Sequence, residues 1–149
     1  MFYISTKAQY GLGLLQILAT HYDRGFMSLK EIGRLKQYPS GYLQEIAGPL
    51  KKAGFLISKE GLGGGYRLAR RPETIGLLQV LEILDGPIQP VKCLYGDFRC
   101  PKESLCLSRD IWHQAAGQLA EFFRGKTLAD LVGQTIKFRK QTVAAECRL

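Results

Sequence analysis

The apolar positions of this chain fall into helical period over three early stretches. Ser5 and Thr6 are N-cap residue types, and Ala8, Leu12, Leu15, Leu18 and Ala19 follow at close to the 3.6-residue repeat, which predicts a helix over residues 5–21. Asp23-Arg24-Gly25 reads as a turn. Ser28 with Glu31 three residues on is a capping-box pattern, and Leu29, Ile32 and Leu35 carry a second helix that stops near Tyr38-Pro39. Ser40 is the candidate cap of a third helix bearing Tyr42, Leu43, Ile46, Leu50 and Ala53. Pro49 inside it predicts a bend rather than a break, and Gly54 predicts its end.

From Phe55 onward the period changes. Phe55–Ser58 and Tyr66–Ala69 read as two short strands around Gly61-Leu62-Gly63-Gly64-Gly65. A helix over about 74–84 follows, with Leu77, Leu78, Leu81 and Leu84 apolar. Residues 85–106 hold Pro87, Pro90, Gly96, Pro101 and three cysteines; they predict a loop of about 20 residues, a length that usually signals function or disorder. Residues 107–124 resume steps of about four at Leu107, Ile111, Ala115, Leu119 and Phe122 or Phe123, and Thr127–Val132 opens a last short helix. The polar tail after Lys137 predicts poor order. The fold class expected from this order is mainly α with a small β-hairpin wing, a winged helix-turn-helix followed by a long helix.

Charge narrows the partner. The 149 residues carry 21 Lys and Arg against 13 Asp and Glu, a net +8, which points to a polyanion, most often nucleic acid. Residues 1–75 hold eleven basic and five acidic side chains, residues 76–149 ten and eight, so the surplus lies in the N-terminal half. There is no secretory signal pattern, and no apolar run approaches the roughly 18 residues of a membrane helix. A cytoplasmic location without membrane contact is expected. Reduced thiols there make the cysteines metal ligands or redox groups rather than disulfides.

The second helix of a helix-turn-helix pair enters the major groove with its first residues at the base edges. That makes Ser40, Tyr42, Gln44 and Glu45 suitable at the base edges, where glutamine pairs with adenine, glutamate accepts from cytosine, and serine or tyrosine reaches phosphate or base. Lys51 and Lys52 would meet phosphates. The plain alternative makes Tyr42 a core residue and Gln44 and Glu45 a solvated face. The glycine run suits a nucleotide-phosphate loop poorly, because no helix and no Lys-Ser/Thr follow. A wing tip whose Gly63 and Gly64 let the backbone approach the minor groove suits it better, a flexible hairpin being the alternative. Lys59, Arg67 and Arg70 flank the tip and would face phosphates.

Cys93, Cys100 and Cys106 are spaced C-x6-C-x5-C. Three soft thiolates close in sequence suit an iron-sulfur cluster, zinc or copper(I), and zinc is the poorer match because it favours closer pairs. Cys106 is expected at a helix start, which lowers a thiol pKa, with Lys92, Arg99, Lys102 and Arg109 adding positive charge. Cys147, in the tail, reads as a spectator. A redox enzyme or electron carrier would also use cysteines, but no second cofactor motif, triad or carboxylate pair accompanies them, and it would leave the basic half unexplained; an enzyme is not expected.

Five stretches and the cysteines together resemble the Rrf-two family of winged-helix regulators, the group of the iron-sulfur regulator IscR and the nitric-oxide sensor NsrR. They are residues 5–12 (STKAQYGL), 41–46 (GYLQEI), 50–54 (LKKAG), 61–68 (GLGGGYRL) and 127–131 (TLADL), with Cys93, Cys100 and Cys106. The resemblance covers roughly residues 1–133. It implies a DNA-binding domain over 1–84, a cysteine-rich cluster-binding loop over 85–106, dimerisation helices over 107–137 and a tail over 138–149. It implies a homodimer on operator DNA, held by the long helix 107–124 crossed with its mate, with an iron-sulfur cluster, commonly two-iron two-sulfur, on the three cysteines. A cluster-free regulator controlled by a partner protein, zinc or cysteine oxidation is the alternative.

The chain departs from the family pattern at four points. Six residues rather than five separate the first two cysteines; Arg109 stands where the IscR group has a histidine ligand; and Gln9 stands where some nitric-oxide sensors have an acid. Asp97, Glu103, Asp110, His113 or an exogenous group are the candidates left for a fourth ligand. Many relatives also read Tyr-Leu-Glu-Gln where this chain has Tyr42-Leu43-Gln44-Glu45, and carry arginine at Glu60, so their operator sequence does not transfer.

Overall fold

The structure is a computed structural model that describes residues 4–94 and 100–133. Its elements are α1 (Thr6–Thr20), α2 (Leu29–Lys36), α3 (Ser40–Lys52), β1 (Leu56–Lys59), β2 (Gly65–Leu68), α4 (Leu77–Asp85) and α5 (Arg109–Arg124), with short 3-10 turns between. Helical residues 128–133 close the described chain. The tail after Lys137, Cys147, and residues Asp97 and Arg99 lie outside the described residues, as does the side chain of Lys92.

Helix α3 sits at the centre, against α1, α2, α4 and β1. Leu43, Ile46, Ala47 and Leu50 on its inner face have no exposed surface and meet Leu14 and Leu15 of α1, Ile32 of α2 and Val80 of α4 in one core. Each buried leucine contributes about 2–3 kcal/mol of transfer free energy. The N-cap of α3 is Pro39, without a side-chain bond, so Ser40 is the first helical residue and not the expected cap. The helix runs unbroken through Pro49. Its end is closed by Gly54 (φ +75°), whose N–H bonds Lys51 O, and by Phe55 N–H to Leu50 O, the pairing of a Schellman motif with the apolar Phe55–Leu50 contact that accompanies it.

The hairpin pairs antiparallel with Leu56 opposite Leu68 and Lys59 opposite Gly65. An isolated two-stranded hairpin is marginal in water. Here the segment before α2 steadies it: Met27 N–H bonds Tyr66 O at 2.9 Å, and Tyr66 N–H bonds Met27 O at 2.8 Å. That pairing explains a wing glycine. A β-carbon on Gly65 (φ +140°) would lie 2.3 Å from Met27 O, and one on Gly64 would lie 2.3 Å from Lys59 O. These two glycines are required by the chain's own backbone, irrespective of any ligand.

Helix α4 starts three residues later than its apolar pattern predicts. Ile75 and Gly76 are extended, tied to the returning segment by Leu128 N–H to Ile75 O (2.8 Å) and Leu77 N–H to Lys126 O (2.9 Å), a long-range pairing that local periodicity does not carry. The returning segment buries Leu128 completely in the core. Thr127 and Asp130 form a reciprocal cap at its helix start; hydrogen bonds from the Thr127 backbone and hydroxyl hold the Asp130 carboxyl below its usual range. A depressed carboxyl adds stability above its unfolded pKa, and that stability is lost as pH falls through the folded value.

Asp85, the last residue of α4, receives the Ser5 N–H (3.0 Å) and the Ser5 hydroxyl, while Ser5 Oγ accepts from Ala8 N–H as the cap of α1. A carboxylate therefore sits at the positive end of α1. Asp85→Ala is expected to lower the unfolding free energy by about 1 kcal/mol in urea melts, and adding Ser5→Ala to cost little more, because the two act as one cap. Equal, additive losses would contradict the pairing. Gly65→Ala is expected to cost about 2–3 kcal/mol in the same melts. An unchanged urea midpoint would mean that Met27 does not pin the wing.

Candidate nucleic-acid interface and cysteine segment

With one face of α3 buried, the other is fixed. Ser40, Gly41, Gln44, Glu45, Gly48, Lys51 and Lys52 are the exposed residues of the helix, and all but Ser40 recur at three- and four-residue steps from Gly41. The structure thus brings Gln44, Glu45 and Lys51 onto one outward face, with Ser40 exposed at its start. Tyr42 is not on that face. It is half-buried against the core, edge-on to Tyr10 at 5.7 Å, while Tyr10 stacks on Tyr38 at 4.0 Å. Burial, reinforced by Tyr10, raises the Tyr38 phenol pKa. Tyr42, partly exposed, packs α1 against the α2–α3 turn instead of standing with Gln44 and Glu45 on the outward face.

Two side chains tie this face to the wing. Gln44 Nε2 donates to Tyr66 Oη at 3.2 Å, and Lys51 Nζ donates to Ser58 Oγ at 2.6 Å. Arg67 is exposed on β2 with its guanidinium 4.9 Å from the centre of the Phe26 ring, and Lys59 is exposed at the end of β1. Leu62, at the tip, is fully exposed, and Gly63 (φ +72°) has open space around it. Arg70 does not join the phosphate-facing group: its Nε and Nη2 donate to Gly54 O and Ala53 O, both at 3.1 Å, over the Phe55 ring. It closes the C-terminus of α3, where a cation also meets the helix dipole favourably. The Tyr66 hydroxyl was not singled out from the sequence; its pairing with a residue 22 positions away leaves no local signal.

The segment between α4 and α5 is irregular, with single 3-10 turns at Lys92–Leu94 and Glu103–Leu105. Cys93, Cys100 and Cys106 are free thiols, each partly exposed. Cys106 ends a 3-10 turn instead of starting a helix, since α5 begins at Arg109 after Ser108. Hydrogen bonding to Ser108 (Sγ to Oγ 3.6 Å) and then the nearby Arg109 charge lower its thiol pKa. Glu103 forms an exposed ion pair with Arg109 at 2.7 Å. Asp110 and His113 are exposed on α5. Gln9 donates to Ile4 O. Among the described residues, no three His, Cys, Asp or Glu side chains converge to hold a metal ion. The donor chemistry, three free soft thiols on one short segment, matches an iron-sulfur cluster; gathering all three requires the segment to rearrange.

Helix α5 buries none of its residues, and its apolar side chains Ile111 and Phe122 are 63% and 60% exposed. Among the described residues no helix is long and apolar enough to cross a membrane.

Comparison with known proteins places this arrangement. The family profile described as Rrf2, iron-dependent transcriptional regulator, matches residues 4–134. The chain is 33% identical over 129 residues to protein rrf2 of Nitratidesulfovibrio vulgaris, covering 87% of this chain and 86% of that one. The structure superposes on that of CymR, the global cysteine regulator of B. subtilis, with a TM-score of 0.75 and 33% identity over 90% of this chain and 98% of CymR. It superposes on T. potens IscR with a TM-score of 0.73 and 30% identity over 90% and 88%. The winged-helix fold, the outward face of α3 and these relatives, regulators and not enzymes, agree: the chain belongs to the Rrf2 family of DNA-binding transcriptional regulators.

Proposed function

We propose that this regulator binds operator DNA as a homodimer through α3 and the wing, and that its affinity is set by the state of Cys93, Cys100 and Cys106, which hold an iron-sulfur cluster, commonly two-iron two-sulfur. The observation that carries the proposal is the placement of three free thiols on the one segment that joins the DNA-binding unit to α5. At the interface, Gln44 and Glu45 face base edges, Ser40, Lys51, Lys59 and Arg67 face phosphates, and Gly63 and Gly64 lie on the wing. Gly41 supports this reading. Among the described residues, no atom lies within 4 Å of where a β-carbon on Gly41 would stand, which leaves room for DNA to approach this exposed turn.

A bound cluster supplies a group that oxidants and nitric oxide alter. The chain supplies the coupling. The cysteine segment leaves α4 next to Asp85, whose carboxylate is tied to the start of α1, and both α1 and α4 pack on α3. A rearrangement that gathers the thiols therefore bears on the helices that hold the recognition helix. Half-sites lie about one DNA turn apart, roughly 34 Å, and a tenfold change in operator affinity needs only about 1.4 kcal/mol between the two states. A cytoplasmic dimer across the exposed face of α5 would cover Ile111 and Phe122.

The three thiols, free and partly exposed, also allow a second reading, in which oxidation of the cysteines alone is the signal. The two readings part on anaerobic purification. The cluster reading predicts a brown protein with near-stoichiometric iron and sulfide, lost in the Cys93→Ala/Cys100→Ala/Cys106→Ala variant. A colourless protein that resists reconstitution, yet changes operator affinity on peroxide treatment, contradicts the cluster and supports the thiol reading. For the dimer, Ile111→Glu/Phe122→Glu is expected to halve the mass measured by light scattering and to weaken operator binding at least tenfold. A dimeric variant would place the interface elsewhere.

A further inference from the structure

We infer that Tyr66 of the wing is a positioning residue for base readout: its hydroxyl holds the side-chain amide of Gln44 in one orientation on the recognition helix. The inference rests on the reading of Gln44 as a base contact. An exposed glutamine has three side-chain torsions and an amide that can turn end for end, offering either a donor or an acceptor to a base. In the structure Gln44 Nε2 donates to Tyr66 Oη at 3.2 Å, which restrains the side chain and, in this orientation of the amide, sets which groups face outward; a hydroxyl can also donate, so Oε1 facing Tyr66 is the competing orientation. One N–H is spent on the hydroxyl, which leaves the second N–H and the carbonyl oxygen Oε1. Those are the donor and acceptor that pair with N7 and the N6 amine of adenine.

The anchor is stiffer than the group it orients. Tyr66 pairs with Met27 through both its N–H and its C=O, stands opposite Ser58 in the hairpin, and packs its ring against the core. The preceding residue cannot carry a β-carbon, because Met27 O lies 2.3 Å from where it would be. The hydroxyl is therefore placed by backbone pairing, and Gln44 comes to the DNA with less rotational freedom to lose. The same bond ties the wing to α3, so one displacement moves both.

The test is selection of bound sequences from a randomised duplex library, using the full chain as wild type, Tyr66→Phe, Gln44→Ala and the double variant. Gln44→Ala is expected to erase the preference at one base-pair position per half-site. Tyr66→Phe is expected to weaken the preference at that same position about three- to tenfold, with Kd for random duplex within about twofold of wild type. Added to Gln44→Ala, it should change nothing further. A Tyr66→Phe protein that keeps the preference, or that loses affinity equally for every sequence, overturns the inference. An unaltered motif in Gln44→Ala overturns the base contact itself, and the inference with it. Gln44→Glu tests the same point with the wing intact, in case Tyr66→Phe does not fold. Its carboxylate can only accept from the tyrosine hydroxyl, so the preference should move from adenine to cytosine; no preference at that position overturns the inference.

Discussion

Everything outward-facing in this protein depends on how α3 is clamped. Leu43, Ile46, Ala47 and Leu50 have no exposed surface, and three helices and a strand press on them. Turning the helix by one residue, about 100°, would drive Gln44 or Lys51 into that core and strand a buried leucine in water. The C-terminus is fixed separately, by the Gly54 turn and by two hydrogen bonds from Arg70. A helix held on its inner face and at its end has a single outer face to offer, and Gln44, Glu45 and Lys51 lie on it.

The wing is subordinate to the same clamp. A four-residue hairpin buries too little to stand alone, and it borrows stability from Met27, which precedes α2, and from Leu56 and Leu68, which reach the core. Tyr66 belongs to both systems, paired by its backbone to Met27 and by its hydroxyl to Gln44. Arg67 leans over Phe26, so the positive charge of the wing is also referred to the body. Gln44 to Tyr66 and Lys51 to Ser58 thus bond the outward face of α3 to the wing, and Asp85 at the end of α4 bonds the start of α1.

Most of this was legible in the sequence, and the failures share a cause. The three N-terminal helices, the hairpin and the long last helix follow from period and caps, because each buries one face. The strand limits shifted by one residue, and α4 and α5 began late. The start of α4 depends on a partner distant in the chain, Ile75 and Gly76 pairing with residues 126–128. The glycine run was read as a means of approaching DNA. Gly64 and Gly65 answer instead to Lys59 O and Met27 O, contacts that only the folded hairpin creates. The surroundings of Tyr42 and Arg70 are hidden from the sequence for a related reason. A tyrosine at helical spacing and an arginine after a strand look the same whether they face solvent or neighbours. The thiol triad was plain in the sequence, but which group it holds depends on how its segment closes.

On the proposed function, one face of α3 and the wing read DNA as a two-fold pair. The measurement that decides this is hydroxyl-radical and methylation footprinting of the full chain on its selected operator. Two major-groove contact zones are expected, centred about 10 base pairs apart, each flanked by protection across the neighbouring minor groove where the wing lies. Protection confined to the backbone, without two-fold symmetry or guanine and adenine interference in the major groove, would contradict it.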